Sequence, residues 1–187
     1  MHFSGWDMKH ANQLDTWMEQ EHRQKQRLKQ GVGPGVNQVE QIISRSGLEI
    51  MQAILDGKLH YPPIAETLDF FLIEIADGRA VFQGTPGHAH LNPMGSIHGG
   101  WFATLLDSAM ACAIQTRIPA GRAYTTTELS INLVRALTPD IKRVRAEGTV
   151  LHCGRQLATA EGKLLGPDGR LYAHGTTTCL VYQLNQS

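Results

Sequence analysis

One segment of the chain leaves little choice of fold. From Gly99 onward, Phe102, Leu105, Leu106, Ala109, Met110 and Ala113 recur at i, i+3, i+4, i+7, i+8 and i+11, which gives a helix of several turns one continuous apolar face. The small residues Ala103, Ser108, Ala109, Ala111 and Ala113 let a second layer approach it closely, and Pro119 and Gly121 close the segment. A helix this apolar has to be covered. The remainder of the chain reads as strands, roughly 123–134, 141–153, 156–165 and 171–184, with Leu129, Ile131 and Leu133 alternating with Glu128, Ser130 and Asn132. Gly166-Pro-Asp-Gly169 supplies a hairpin turn between the last two. Ahead of the helix, 67–75 and 79–83 form two more strands, joined by Ala76-Asp77-Gly78, whose Asp-Gly tolerates the positive φ of a tight turn. Two strands, one long helix and four strands predict an α+β fold in which an antiparallel β-sheet wraps one central α-helix. Such a sheet leaves an edge strand, and pairing with a second copy covers it, so a homodimer is expected.

The first 60 residues lie outside that plan. Lys9 to Lys29 is dense in Gln, Glu, Lys, His and Arg, with Leu14, Trp17, Met18 and Leu28 as a narrow apolar stripe, so a mobile or loosely docked helix is expected. Gly31-Val-Gly-Pro-Gly35 breaks it. With no strand before it and no Gly-Lys-Ser/Thr ending, this is a linker and not a phosphate loop. From Gln38 to Asp56, Val39, Ile42, Ile43, Ile50, Met51, Ile54 and Leu55 recur at helical spacing, and Ser46-Gly-Leu-Glu49 has the spacing of a capping box. One short amphipathic helix, or two pieces, ends at Gly57. The expected organisation is a helical extension and linker over 1–60 and one domain over 61–187.

Charge and cysteines narrow the partners. Of the 187 residues, 17 are Lys or Arg and 17 are Asp or Glu. That balance lacks the basic excess of a nucleic-acid binder and the basic amphipathic stretch of a membrane-surface protein. No run of about 18 apolar residues occurs, and Met1 to Gln30 lacks the apolar core of a signal peptide. Cys112, Cys153 and Cys179 are odd in number and have no Cys-x-x-Cys spacing, which argues against a disulfide framework or a thiolate zinc site and for a reducing cytoplasm. His88, His90 and His98 come with no further ligand at metal spacing, so no metal is expected.

The chemistry is concentrated in Asn92-Pro-Met-Gly-Ser-Ile-His-Gly-Gly-Trp-Phe-Ala-Thr-Leu-Leu-Asp107. Gly99-Gly100 opens the helix and leaves backbone N–H groups unscreened at the positive end of its dipole, a place that stabilises an oxyanion. At about 100° per residue, Asp107 falls roughly 130° from the centre of the apolar stripe. It sits just outside the stripe's edge, where a neighbouring strand can partly desolvate it and make it a stronger base. The plainer reading is an ordinary flank acid facing water. His98 likewise reads as a helix-start residue, and Asn92 before Pro93 as a turn initiator.

Asn92, His98-Gly99-Gly100 and Asp107, followed by Thr125-Thr-Thr-Glu-Leu-Ser-Ile-Asn132 and the Gly154-Arg155 turn, resemble the hotdog-fold thioesterases of the phenylacetate-pathway (PaaI-like) branch. The resemblance covers about residues 60–183. It implies a hotdog fold, subunits assembled as a dimer or a dimer of dimers with active sites between them, and hydrolysis of an acyl-CoA thioester to free acid and CoA without metal or redox cofactor. It further implies Asp107 as general base or nucleophile and the Gly99 N–H as oxyanion donor, with Gly100 beside it at the substrate. His98 and Asn92 would position the carbonyl, the leaving thiolate or the water. Thr126 would hold the water, although a β-branched strand residue explains Thr126 equally well. Arg155, Arg135, Lys142 and Arg143 would meet the CoA phosphates, and Trp101, Met110, Tyr124 and the N-terminal segment are candidates to line the acyl pocket. Hotdog hydratases carry an Asp just ahead of their Asn-Pro; Ala89-His-Leu-Asn92-Pro93 lacks it, which disfavours hydration of enoyl thioesters. The alternative function is a non-catalytic acyl-CoA binding or sensing module. Asp107 argues against it, because a binder needs no carboxylate beside a thioester.

Overall fold

The computed structural model describes residues 5–184; the first four residues of the extension and the last three of the domain lie outside it. In chain order the elements are α1 (Gly5–Gln30), α2 (Val39–Ile42), α3 (Gly47–Leu55), α4 (Ile64–Thr67), β1 (Phe70–Ala76), β2 (Arg79–Gly84), α5 (Gly99–Gln115), β3 (Arg122–Leu133), β4 (Val144–Cys153), β5 (Leu157–Leu165) and β6 (Leu171–Gln183). The six strands form one antiparallel sheet in the order β1-β2-β4-β5-β6-β3, and α5 lies on its inner face. The wrapped helix expected from the sequence is the core of the molecule. All six residues of the predicted apolar face are buried.

The helix and sheet come close because glycines face it. Gly148 of β4 and Gly162 of β5 are partners in the ladder. A Cβ on Gly148 would overlap the Ala109 carbonyl, and one on Gly162 would lie 2.8 Å from Met110 Cγ. Local signals elsewhere are realised as well. Ser46 and Glu49 close a capping box at the start of α3, and Gly57 ends that segment at φ +72°. Gly78 turns the β1–β2 hairpin at φ +69°.

The docking of α1 corrects the expectation of a loose helix. Gln83 and Arg145 are partners on β2 and β4, and they point away from α5, on the outer face of the sheet. There Gln83 Nε2 donates to the Trp17 carbonyl at 3.0 Å and to Glu21 at 2.8 Å. Arg145 Nε donates to Gln83 Oε1 at 2.9 Å, its guanidinium stacks 4.5 Å from the centre of the Trp17 ring, and Arg143 pairs with Glu21. Trp17 and Glu21 are buried by this contact, and Gln24 and Leu28, farther along α1, are buried toward α3 and the core. Apolar periodicity misses such a helix because half of its buried residues are polar.

At the other edge of the sheet β3 is unpaired on one side. Its residues Leu129 and Leu133 remain 37% and 52% exposed, while Thr177 and Ala173 opposite them on β6 are buried. The apolar face read from the sequence is therefore present but incompletely covered within one chain.

Candidate active site

The loop before α5 is built around Asn92. Its Oδ1 accepts the Met94 N–H at 2.9 Å and the Ser96 N–H at 3.2 Å, its Nδ2 donates to Ser96 Oγ at 2.9 Å, and Gly95 turns the chain at φ +83°. Asn92 thus acts first on its own loop, as a turn residue. The loop delivers His98, whose N–H donates to the His90 carbonyl at 2.8 Å. His98 is the N-cap of α5: its backbone is extended, at φ −61° and ψ 138°, and its Nδ1 accepts the Gly100 N–H at 2.9 Å. That bond occupies the Gly100 N–H. Among the described residues no group accepts the Gly99 N–H. Gly99 lines a surface groove of about 280 Å³ with Asn92, Phe102, Leu133 and Arg135, whereas His98 and Gly100 line a separate depression with His90 and Trp101. The His90 ring stacks on Trp101 at 5.4 Å and takes the Gly87 N–H at 3.1 Å. Among the described residues no three His, Cys, Asp or Glu side chains gather as metal ligands.

Asp107 lies midway along α5 and is partly buried. Thr126 Oγ1 donates to its Oδ1 at 3.0 Å, from a bulge in β3 where the register with β6 shifts between Thr126 and Glu128. A bulge re-aims side chains out of the regular alternation, which places Thr126 against the helix. Burial pushes the Asp107 carboxyl above its ordinary value, and the Thr126 bond partly offsets that by favouring the charged form. The buried Cys179 thiol lies 3.9 Å from Thr126 Oγ1. Sequence reasoning named the acid and the hydroxyl separately. The fold brings them together.

Asp107 is eight positions after Gly99, about 12 Å along a helix at 1.5 Å per residue. A reacting carbonyl has to lie roughly 3 Å from its oxyanion donor and within one water of its base. Within one chain the open Gly99 N–H beside Asn92 and the Asp107 carboxylate beside Thr126 are therefore too far apart to meet the same reacting carbonyl. Of the cations, Arg135 shares the Gly99 groove, Lys142 is exposed, and exposed Arg155 lies with Arg122 at the far end of β3. Arg143 corrects the expectation of a phosphate contact, since Glu21 holds it.

An apolar cavity of about 270 Å³ lies between the N-terminal extension, β1 and the side of α5 just past Asp107. Tyr124 lines it, whereas Trp101 and Met110 are buried elsewhere, with the Trp101 Nε1 bonded to the Leu68 carbonyl at 2.9 Å.

Residues 94–173 match the Thioesterase superfamily. The Caenorhabditis elegans protein named "Putative esterase F42H10.6" is 28% identical over 134 residues, 71% of this chain and 76% of that protein. Among solved structures, a mutant of the phenylacetic acid degradation protein PaaI from Thermus thermophilus is 30% identical, with 63% of this chain and 97% of that chain covered and a TM-score of 0.57. A phenylacetic acid degradation-related protein from Ralstonia eutropha is 25% identical, with 69% and 97% covered and a TM-score of 0.63.

Proposed function

Because the chain belongs to the thioesterase superfamily, on the PaaI-like branch of hotdog thioester hydrolases, we propose that it hydrolyses an acyl-CoA to the free acid and CoA, with Asp107 as general base. The observation that carries this reading is the Asp107–Thr126 pair: a carboxylate raised in basicity by burial, held by a hydroxyl, on the helix whose N-terminus presents the open Gly99 N–H. Water, oriented by Thr126 and Asp107, attacks the thioester carbon and gives its proton to Asp107. The oxyanion that forms is met by a Gly99 N–H, and the C–S bond breaks as the proton passes from Asp107 to the leaving thiolate.

The separation of these two half-sites, the Gly99 N–H and the Asp107 carboxylate, makes this a reaction of two subunits. Gly99 lies against Leu133, at one end of β3, and Asp107 against Thr126, toward the other. Antiparallel pairing of β3 with its copy, centred near Leu129 and Ser130, brings the Thr126 end of one strand opposite the Leu133 end of the other. It thereby sets Asp107 near Gly99 of the partner subunit, and it covers the exposed leucines of the edge. Asn92 and His98 are positioning residues for the Gly99 half-site. The exposed Arg135, Lys142 and Arg155 suit the CoA phosphates. In this reading residues 61–187 are the catalytic unit of a homodimer or dimer of dimers, acting in the cytoplasm. No helix among the described residues is long and apolar enough to cross a membrane.

Turnover of aryl and fatty acyl-CoA esters by the wild type and by Asp107→Asn is the test. Hydrolysis that is lost in the variant supports the reading. No turnover by the wild type, with tight binding of intact acyl-CoA, would favour the sensor instead.

A further inference from the structure

The 270 Å³ cavity has two walls of different origin. One is the flank of α5 and the start of β3, contributing Ser108, Cys112 and Tyr124. Ser108 directly follows Asp107, and Tyr124 lies two residues before Thr126, so this wall runs away from the catalytic pair. The other is the extension itself: Leu28 of α1 and Met51 and Ile54 of α3 line the opposite side. Within the extension a buried bond, Gln24 Nε2 to the Leu55 carbonyl at 2.8 Å, joins α1 to α3, and the outer-face network of α1 holds it on the sheet. Arg122, whose guanidinium donates to the Arg155 carbonyl, is the one cation among the lining residues. The titratable thiol and phenol of the wall stay neutral, because burial pushes the Cys112 thiol up to about 12 and the Tyr124 phenol upward as well.

Resting on the thioesterase reading above, we infer that this cavity receives the acyl group, and that the N-terminal extension, through Leu28, Met51 and Ile54, sets its length. At about 30 Å³ for each water-sized unit, the space takes on the order of nine non-hydrogen atoms. That suits a medium straight-chain or an arylacetyl group of apolar character. The extension is thus a specificity element supplied by the chain beyond its catalytic unit.

The test uses the full chain and two opposite substitutions. Ile54→Phe fills the cavity from the extension side, and Met51→Ala enlarges it. The ratio of kcat/KM for octanoyl-CoA over butanoyl-CoA should fall at least tenfold in Ile54→Phe, within the range that one or two methylenes command in an apolar pocket. In Met51→Ala the optimum should move to a longer chain. Ratios that stay at the wild-type value in both variants, with thermal unfolding showing both folded, would overturn the inference. Binding of the non-hydrolysable thioether octyl-CoA separates this from the thioesterase reading. Weaker binding by Ile54→Phe supports the pocket even if no ester is turned over, and equal binding refutes it even if esters are hydrolysed.

Discussion

The two half-sites on α5 are built by opposite means. At the helix N-terminus the functional group is a backbone N–H, kept open because Gly99 has no side chain and because His98 caps its neighbour instead. Midway along the helix the group is a carboxylate, made more basic by burial under β3, while the Thr126 bond partly offsets that and fixes its orientation. The first has a donor and no base, the second a base and no donor, and about 12 Å of helix lies between them. Neither half is a catalyst by itself. In the proposed mechanism catalytic competence is a property of how two copies meet, with the edge strand β3 as part of the site.

The largest effect should come from the carboxylate half. Asp107→Asn keeps the shape and removes the base, so kcat should fall by about 10²–10⁴-fold, the usual contribution of a general base. Stability should move the other way. The folded-state pKa of Asp107 lies above its unfolded value, so the ionised acid costs folding free energy at neutral pH, and that cost is absent once pH falls below the unfolded value. A thermal melt of Asp107→Asn at neutral pH should accordingly show Tm unchanged or raised. A large drop in Tm would mean that the acid is a structural residue.

The donor half should be somewhat less sensitive. Gly99→Pro removes the one N–H of interest at the first position of a helix, where proline is well tolerated, and His98 already has the extended backbone that a residue before proline prefers. Loss of one oxyanion donor predicts a fall in kcat of about 10²–10³-fold with circular dichroism preserved. Retained kcat would remove Gly99 from the mechanism.

The smallest and most diagnostic change is Thr126→Val. Taking away the hydroxyl removes the bond that favours ionised Asp107, so the acid limb of the pH profile of kcat/KM, already above the ordinary carboxylate value, should move to higher pH. A limb that stays in place while kcat falls uniformly would assign Thr126 to the water alone.

The two half-sites also differ in how readable they are in the sequence. The helix, its apolar face and the Gly-Gly opening follow from spacing, because a 3.6-residue period and the absence of Cβ atoms are local properties. The engagement of Gly100 by His98 is local too, and capping logic could have found it. The Asp107–Thr126 bond was not legible, because it depends on a bulge 19 residues away in sequence that period-two reasoning does not anticipate. Docking of α1 was missed for a related reason. Gln83 and Arg145 look like solvent-facing strand residues until Glu21 and Trp17 cover them, so the pairing exists only in three dimensions. The sequence offered the N-terminal segment and Tyr124 as pocket lining, but where the cavity lies between that extension and α5 depends on this docking.

The most direct test of a site shared by two copies is complementation. Asp107→Asn and Gly99→Pro, each inactive alone, are co-expressed so that subunits mix at random. Half of the dimers are then mixed, and each mixed dimer holds one site with both an intact Asp107 and an intact Gly99, so activity should return to about a quarter of the wild-type value per subunit. If both groups acted within one chain, no mixed dimer would contain a complete site, and activity would remain at the level of the single variants.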